Sequence, residues 1–293
     1  MKTEVKNIDG SKREIAIQVN GDVVKDKFED VFKKISKEAK VRGFRPGHVP
    51  RDILEKEFSS VAHEQVLREL IPDLYGKALE KESLQVLDLP QISEVKLDRS
   101  SLSFKALVEV TPEIAIKNYK GLKINYKKIA VSKDELKRNL DSIKEARKID
   151  VLDDSCAKSL GYPSLQELER AIERQISVQK ENAQHNELEH QIIEQLTKEL
   201  DFKIPQSLVN KQLEDLLRQA KIDLALRGIA KEKIFEQESQ LREELQPQAK
   251  NQVKIYLVLS SIARKENMAL DDQMPRKVME LLFKEALWEV KEA

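Results

Sequence analysis

The hydrophobic repeat of this chain changes along its length, and the places where it changes limit the architectures open to it. Ile15, Ile17 and Val19 alternate with Glu14, Ala16, Gln18 and Asn20, and after Pro90 the same alternation returns in Leu102, Phe104, Ala106, Val108 and Val110. A two-residue repeat belongs to a strand with one buried face. Thr3–Ile8, ahead of the turn at Asp9-Gly10-Ser11, is placed to be the hairpin partner of the first strand. Between the strands Phe28, Val31, Phe32, Ile35 and Ala39 stand at helical spacing, and Ile53, Leu54 and Phe58 resume it through Leu79. A kink or break is expected near Ser59-Ser60 or Pro72. From residue 150 onward no convincing strand appears. The expected fold is an α+β N-terminal domain (an antiparallel sheet plus a helical hairpin), followed by an extended all-α C-terminal domain with long helices. Pro112 ends the last alternating run, so the boundaries are placed at 1–112, 113–150 and 151–293.

The middle segment is basic, with Lys117, Lys120, Lys123, Lys127 and Lys128, and partly extended, since Leu122, Ile124 and Tyr126 alternate. Ser132 and Glu135 form a capping box that opens a helix, and Ser164 and Glu167 form a second. The second helix is expected to run to about residue 200, with a centre, Ser177 to Glu187, that has almost no apolar residues. Such a polar waist cannot be packed into a globule, so it is expected to project or bridge. Pro205 opens the next helix and Gly228 stops it. A stretch from 231 to 266 is expected to bend near Pro247. A last helix from Pro275 carries Val278, Leu281, Leu282, Leu287 and Trp288.

Several function classes are excluded on chemistry. The 293 residues hold 52 Lys+Arg against 52 Asp+Glu, which rules out a globally basic nucleic-acid binder. With 8 glycines, scattered, and neither a phosphate loop nor a dinucleotide fingerprint, ATP-driven work is not expected. His185 and His190 point away from each other on a helix. Glu187 and His190 have the i, i+3 spacing of a carboxylate metal site but lack the second such motif. Cys156 has no neighbouring base. No catalytic residue, metal or cofactor is therefore expected. No apolar run approaches a membrane span, no secretory signal is seen, and a single cysteine fits a reducing, cytoplasmic setting.

One segment stands apart: Gly43-Phe44-Arg45-Pro46-Gly47-His48-Val49-Pro50, the tip of the helical hairpin. Residues 33–52 carry Lys33, Lys34, Lys37, Lys40, Arg42, Arg45 and Arg51 against Glu38 and Asp52. An aromatic beside an arginine on a loop tip can grip RNA or a protein groove. It can equally be an ordinary turn with Phe44 folded back on the helices. The segment resembles the signature loop of the trigger factor family, the bacterial chaperones that meet nascent chains at the ribosomal tunnel exit; its pattern Gly-Phe-Arg-x-Gly-Lys/His-x-Pro is matched at every fixed position. The order of domains is similar too, and Ala157–Tyr162 followed by Ser164–Leu168 resembles the start of that family's C-terminal domain.

The resemblance implies that Arg42, Gly43, Phe44, Arg45, Pro46, Gly47 and His48 dock on tunnel-exit protein and rRNA. It also implies that the helical region forms a cradle for unfolded or nascent polypeptides. Leu213, Leu217, Ile222, Leu226, Phe235, Leu282 and Trp288 are the cradle candidates, with an ordinary helix–helix core as the competing reading. Most members carry an FKBP-like prolyl isomerase domain after the connecting helix. Here the helix ending near Ile149 runs directly into Val151-Leu152-Asp153-Asp154, so that domain and its activity are not expected. Some members place lysines at the positions of Pro46 and His48, so this tip is less basic. A homodimer that hides the loop, a helical adaptor, and a free holdase that no longer binds ribosomes stay open as alternatives.

Overall fold

The computed structural model describes all residues except 40, 42, 43, 45–47, 148–150, 199 and 291–293. The chain divides into two compact units, one built from residues 1–114 and 201–254, the other from 115–200 and 255–293.

In the first unit β1 (Lys2–Asn7), β2 (Lys12–Asn20), β3 (Gln91–Asp98) and β4 (Ser101–Glu109) form an antiparallel sheet in the order β1-β2-β4-β3. The register sets core residue against core residue: Ile15 faces Ala106, Ile17 faces Phe104 and Val19 faces Leu102. All six are 2% exposed or less. Burying each larger side chain contributes about 1.5–3 kcal/mol. The sheet's inner face is covered by α1 (Asp22–Glu38), through Val24, Phe28, Val31 and Phe32, and by α2 (Arg51–Glu82), through Leu54, Ala62, Val66, Leu70, Leu74 and Ala78. The expected kink is present: Phe58 has non-helical dihedrals (φ −115°, ψ 15°), whereas Pro72 lies inside the helix. At the Asp9 turn the carboxylate accepts from the backbone N–H of Ser11 (2.9 Å) and of Lys12 (2.8 Å).

The same unit contains α6 (Gln206–Leu226), α7 (Lys231–Glu236) and the first part of α8 (Glu238–Lys265). Pro205 precedes α6 and offers no side-chain cap. The missing acceptor comes from β4, whose Glu109 carboxylate takes the N–H of Ser207 at 2.8 Å. Gly228 (φ 83°) ends α6, with Ile229 N–H on Leu224 C=O and Gly228 N–H on Ala225 C=O, the 6→1 and 5→2 pair of a Schellman motif. The expected bend at Pro247 is displaced: the break falls at Gln237, and Pro247 lies within α8.

The second unit holds β5 (Lys123–Tyr126), α3 (Lys133–Arg147), α4 (Asp154–Ser159), α5 (Leu165–Lys198), the end of α8, α9 (Met274–Glu285) and β6 (Leu287–Val290). The first capping box closes in both directions, Glu135 N–H to Ser132 Oγ (3.2 Å) and Ser132 N–H to Glu135 Oε2 (2.9 Å). In the second, Glu167 N–H reaches Ser164 Oγ (3.4 Å), while Asp154 caps Leu165 N–H (2.8 Å). The α+β and long-helix class stands as expected, with one local difference. Leu287 and Trp288 do not continue the last helix but form β6, parallel to β5. The helix ends because its last carbonyls find other donors: Gly121 N–H takes Glu285 C=O (3.0 Å) and the Trp288 indole takes Phe283 C=O (3.2 Å).

One polar face of α5, from the waist residues Lys180 and Gln184 on to Gln195, does not stand bare. Gln195, Gln191 and Gln184 donate their side-chain amides to the carbonyls of Lys123 (2.8 Å), Asn125 (3.1 Å) and Lys127 (2.6 Å). Gln191 also accepts the N–H of Asn125 (2.9 Å), and Lys180 reaches Ala130 C=O (2.7 Å). The spacings agree: Lys180 to Gln195 spans about 22 Å of helix, and residues 123 to 130 span about 23 Å when extended. A polar helix face thus holds an extended backbone running antiparallel to it, an arrangement that hydrophobic periodicity cannot register.

Candidate functional site

The hairpin of α1 and α2 presents the loop that the sequence singled out. Ala39, Val41 and Val49 are buried at its base, so the loop is rooted in the domain core on both sides. Phe44 N–H bonds Val41 C=O at 3.2 Å. The Phe44 ring is 39% exposed, and His48 is exposed as well. Phe44 is thus part-open to solvent, in a segment whose base is packed. Arg42, Gly43, Arg45, Pro46 and Gly47, the other expected docking residues, lie outside the described residues.

The charge at this site is less free than the count of basic residues implies. Arg51 lies 4.0 Å from the centroid of Phe32 and bonds Glu55 (2.8 Å) and Glu29 (2.9 Å). Glu55 also holds Arg99 at 2.8 Å, and the Arg51 hydrogen bond, reinforced by the Arg99 charge, lowers its pKa. Lys34 and Lys27 converge on Glu69 at 3.0 and 2.6 Å. With Gln65 donating as well, the Lys27 bond first, Glu69 is held at about 2. Lys33 pairs loosely with Asp30 (3.9 Å). Lys37 has no ion-pair partner among the described residues. The acids that neutralise this face sit at positions 29, 30, 55 and 69, and of these only 69 is far from the loop in sequence. Helical phase alone could have placed Glu55 one turn from Arg51; Glu69 is reached only through the tertiary fold.

At the kink, His63 lies edge-on to Phe28 (5.1 Å), and its Nδ1 donates to Ser59 C=O at 2.7 Å. A carbonyl can only accept, which assigns the proton to Nδ1. The ring therefore serves as a structural pin where α2 bends.

The cradle candidates divide by burial. Leu213, Leu217 and Leu282 are 4%, 2% and 1% exposed; they are interior residues and present no surface to a client. Ile222, Leu226 and Phe235 are 48%, 82% and 71% exposed and gather at the end of α6 and on α7. Lys221 lies 5.6 Å from the Phe235 ring and is held by Glu238 at 2.8 Å. Trp288 is 48% exposed in the other unit. Among the described residues no group of three or more His, Cys, Asp or Glu is arranged to hold a metal ion, and no helix is long and apolar enough to cross a membrane.

Comparison with known proteins places this geometry in context. A family model described as "Bacterial trigger factor protein (TF)" matches residues 1–143, and one described as "Bacterial trigger factor protein (TF) C-terminus" matches residues 164–292. A trigger factor of Natranaerobius thermophilus is 33% identical over 147 residues, half of this chain and a third of that protein. One of Halothermothrix orenii is 21% identical over 385 aligned positions, covering 96% of this chain and 90% of the relative. Since 96% of 293 residues is about 281, roughly a hundred of those positions have no counterpart here. The two family models leave only residues 144–163 between them, too few for a further domain. A solved structure titled "Promiscuous Substrate Recognition in Folding and Assembly Activities of the Trigger Factor Chaperone" has the same fold: TM-score 0.56 at 14% identity, over 97% of this chain and 93% of that one.

Proposed function

Because the chain belongs to the trigger factor family, in a form lacking the isomerase domain region, we propose that it is an ATP-independent chaperone that docks at the ribosomal tunnel exit and shields emerging polypeptides. In this reading residues 1–112 bind the ribosome, 113–150 connect, and 151–293 handle clients, in the cytoplasm. The observation that carries it is the exposed Phe44 on a loop rooted by buried Ala39, Val41 and Val49, within the segment that matches the family's signature. Phe44 supplies a wedge or stacking surface, and Arg45 a fixed charge with a planar set of donors suited to phosphate or carboxylate. Ile222, Leu226, Phe235 and Trp288 are the client-facing residues; Leu213, Leu217 and Leu282 support them from inside. Modest exposed apolar patches in a polar surround bind many sequences weakly, which lets clients leave without nucleotide hydrolysis.

The test is co-sedimentation with ribosomes. The wild type is expected in the pellet and Phe44→Ala/Arg45→Ala in the supernatant. Equal pelleting of both would mean diffuse charge attraction and would remove the loop's role. A wild type that stays in the supernatant at low salt would favour the second reading, a free holdase or adaptor. One observation supports that second reading: Lys27, Lys34 and Arg51 are engaged by Glu69, Glu29 and Glu55 and offer little unpaired charge to rRNA.

A further inference from the structure

The strand edges of this molecule are treated unequally. In the four-stranded sheet the outer strands are β1 and β3. β1 carries Lys2, Glu4 and Lys6, and β3 is broken by a bulge between Ser93 and Lys96, with Glu94 at φ 51°. Charges and bulges are the usual protections against unwanted pairing. In the small sheet, one edge of β5 is closed by Gln184, Gln191 and Gln195 of α5 and the other by β6. Among the described residues the outer edge of β6 has no neighbouring strand. Its sequence, Leu-Trp-Glu-Val, contains no lysine, proline or bulge.

The register shows which groups that edge offers. Leu287 N–H bonds Leu122 C=O at 2.8 Å, and Lys123 faces Leu287 in a parallel ladder. The backbone groups of Leu287 and Glu289 therefore point to β5, and those of Trp288 and Val290 point outward. Leu287, Trp288 and Val290 are each about half exposed. Trp288 belongs to a strip of rings that starts on β5: Tyr126 lies 5.8 Å from Trp288, Trp288 is 6.0 Å from Phe283, and Phe283 is 5.4 Å from His185.

We propose that the outer edge of β6 binds an extended segment of an unfolded polypeptide as an added strand, with the client's apolar side chains resting on the Tyr126–Trp288–Phe283 strip. Two outward N–H and two outward C=O groups at strand spacing are complementary to extended backbone and to nothing else of comparable size. Backbone pairing is indifferent to client sequence, and a strand of four residues makes few bonds, so capture is broad and release is quick. The site refines the chaperone reading and rests on it, and it differs from a purely apolar surface by requiring the client's own N–H groups.

Trp288 is the only tryptophan in the chain, so its fluorescence reports on this site alone. The probe is a peptide of about ten residues alternating phenylalanine and lysine, and the same peptide N-methylated at alternate residues so that it cannot pair. The parent peptide is expected to shift Trp288 emission to the blue, and the methylated one to bind at least tenfold more weakly. Val290→Pro removes an outward N–H and leaves the bonds to β5 in place. It is expected to weaken peptide binding about fivefold, with an unchanged circular dichroism spectrum. Equal binding of both peptides, with no effect of Val290→Pro, would reduce the site to apolar contact and overturn the pairing. A wild-type dimer that Val290→Pro converts to monomer in sedimentation would assign the edge to a second copy of the chain and overturn the client assignment. Suppression of aggregation of reduced lysozyme is measured in parallel. Suppression without any Trp288 response would overturn this site and leave the chaperone reading standing, whereas loss of both would overturn the chaperone reading itself.

Discussion

Single side chains set both the site and the acid sensitivity of this protein. Asp9, Glu69 and Glu135 are each held at about 2: by the Ser11 backbone N–H first, by the Lys27 hydrogen bond first, and by the Lys180 hydrogen bond first. A carboxylate lowered on folding adds stability that is complete above its unfolded value, near 4, and lost as pH falls toward its folded one. The urea midpoint is therefore expected to hold from pH 7 down to about 5 and to fall steeply between about 4 and 2. Asp9→Asn should lower the midpoint at pH 7 and converge on the wild type near pH 2; a constant difference across that range would contradict the assignment. Phe104→Ala, at the centre of the sheet core, is expected to cost about 3–5 kcal/mol in denaturant titration. At this scale much could be read from the chain. The strand alternation gave the faces of Ile15, Ile17, Phe104 and Ala106 because a one-sided sheet turns burial into a two-residue repeat. The pairing of Lys27 and Lys34 with Glu69 stayed hidden, since it depends on how α1 packs against α2.

Whole elements were legible when apolar residues defined them and illegible when backbone hydrogen bonds did. The run from Phe28 to Ala39 reads as a helix because its stripe faces a core, and Gly228 stops α6 where a left-handed residue is needed. The waist of α5 has no stripe. Gln184 within it, and Gln191 and Gln195 beyond it, act on the carbonyls of Lys127, Asn125 and Lys123, and nothing in a list of polar residues tells an amide that binds water from one that binds a strand. β6 was missed for the opposite reason. Leu287 and Trp288 continue the helical spacing of Val278, Leu281 and Leu282, and only the donors of Gly121 and the indole end the helix before them. The ladder makes its own prediction. Gln191→Ala removes both bonds to Asn125 and should speed hydrogen exchange of the Asn125 amide about fivefold, the equivalent of roughly 1 kcal/mol. Exchange in the first unit, which contains neither residue, should be unchanged. An Asn125 amide that exchanges at the wild-type rate would mean that α5 does not hold the strand.

At the largest scale this chain is a member of the trigger factor family that lacks the isomerase domain region. A protease-coupled assay on a Xaa-Pro peptide is expected to show no rate above the uncatalysed isomerisation, which takes tens of seconds or more. Suppression of client aggregation should be the same with and without magnesium ATP; acceleration by ATP would point to a nucleotide site that the glycine-poor sequence gives no reason to expect. The passage from an α+β region to a region of long helices was legible because each has its own hydrophobic repeat. The return of residues 201–254 to the unit begun by 1–114 was not, since it depends on contacts such as Glu109 to Ser207 and Asp9 to Lys203, 98 and 194 residues apart. That threading has a consequence for how the protein is made. Residues 115–200 leave the ribosome before the first unit receives its missing piece, and at ordinary translation speeds the interval between residue 114 and residue 254 is about 7–28 s. Neither unit can be cut out as one continuous fragment. Each new copy spends the earlier part of that interval, until α6 has been made, with Glu109 still waiting for the helix it caps, itself an unfinished nascent chain.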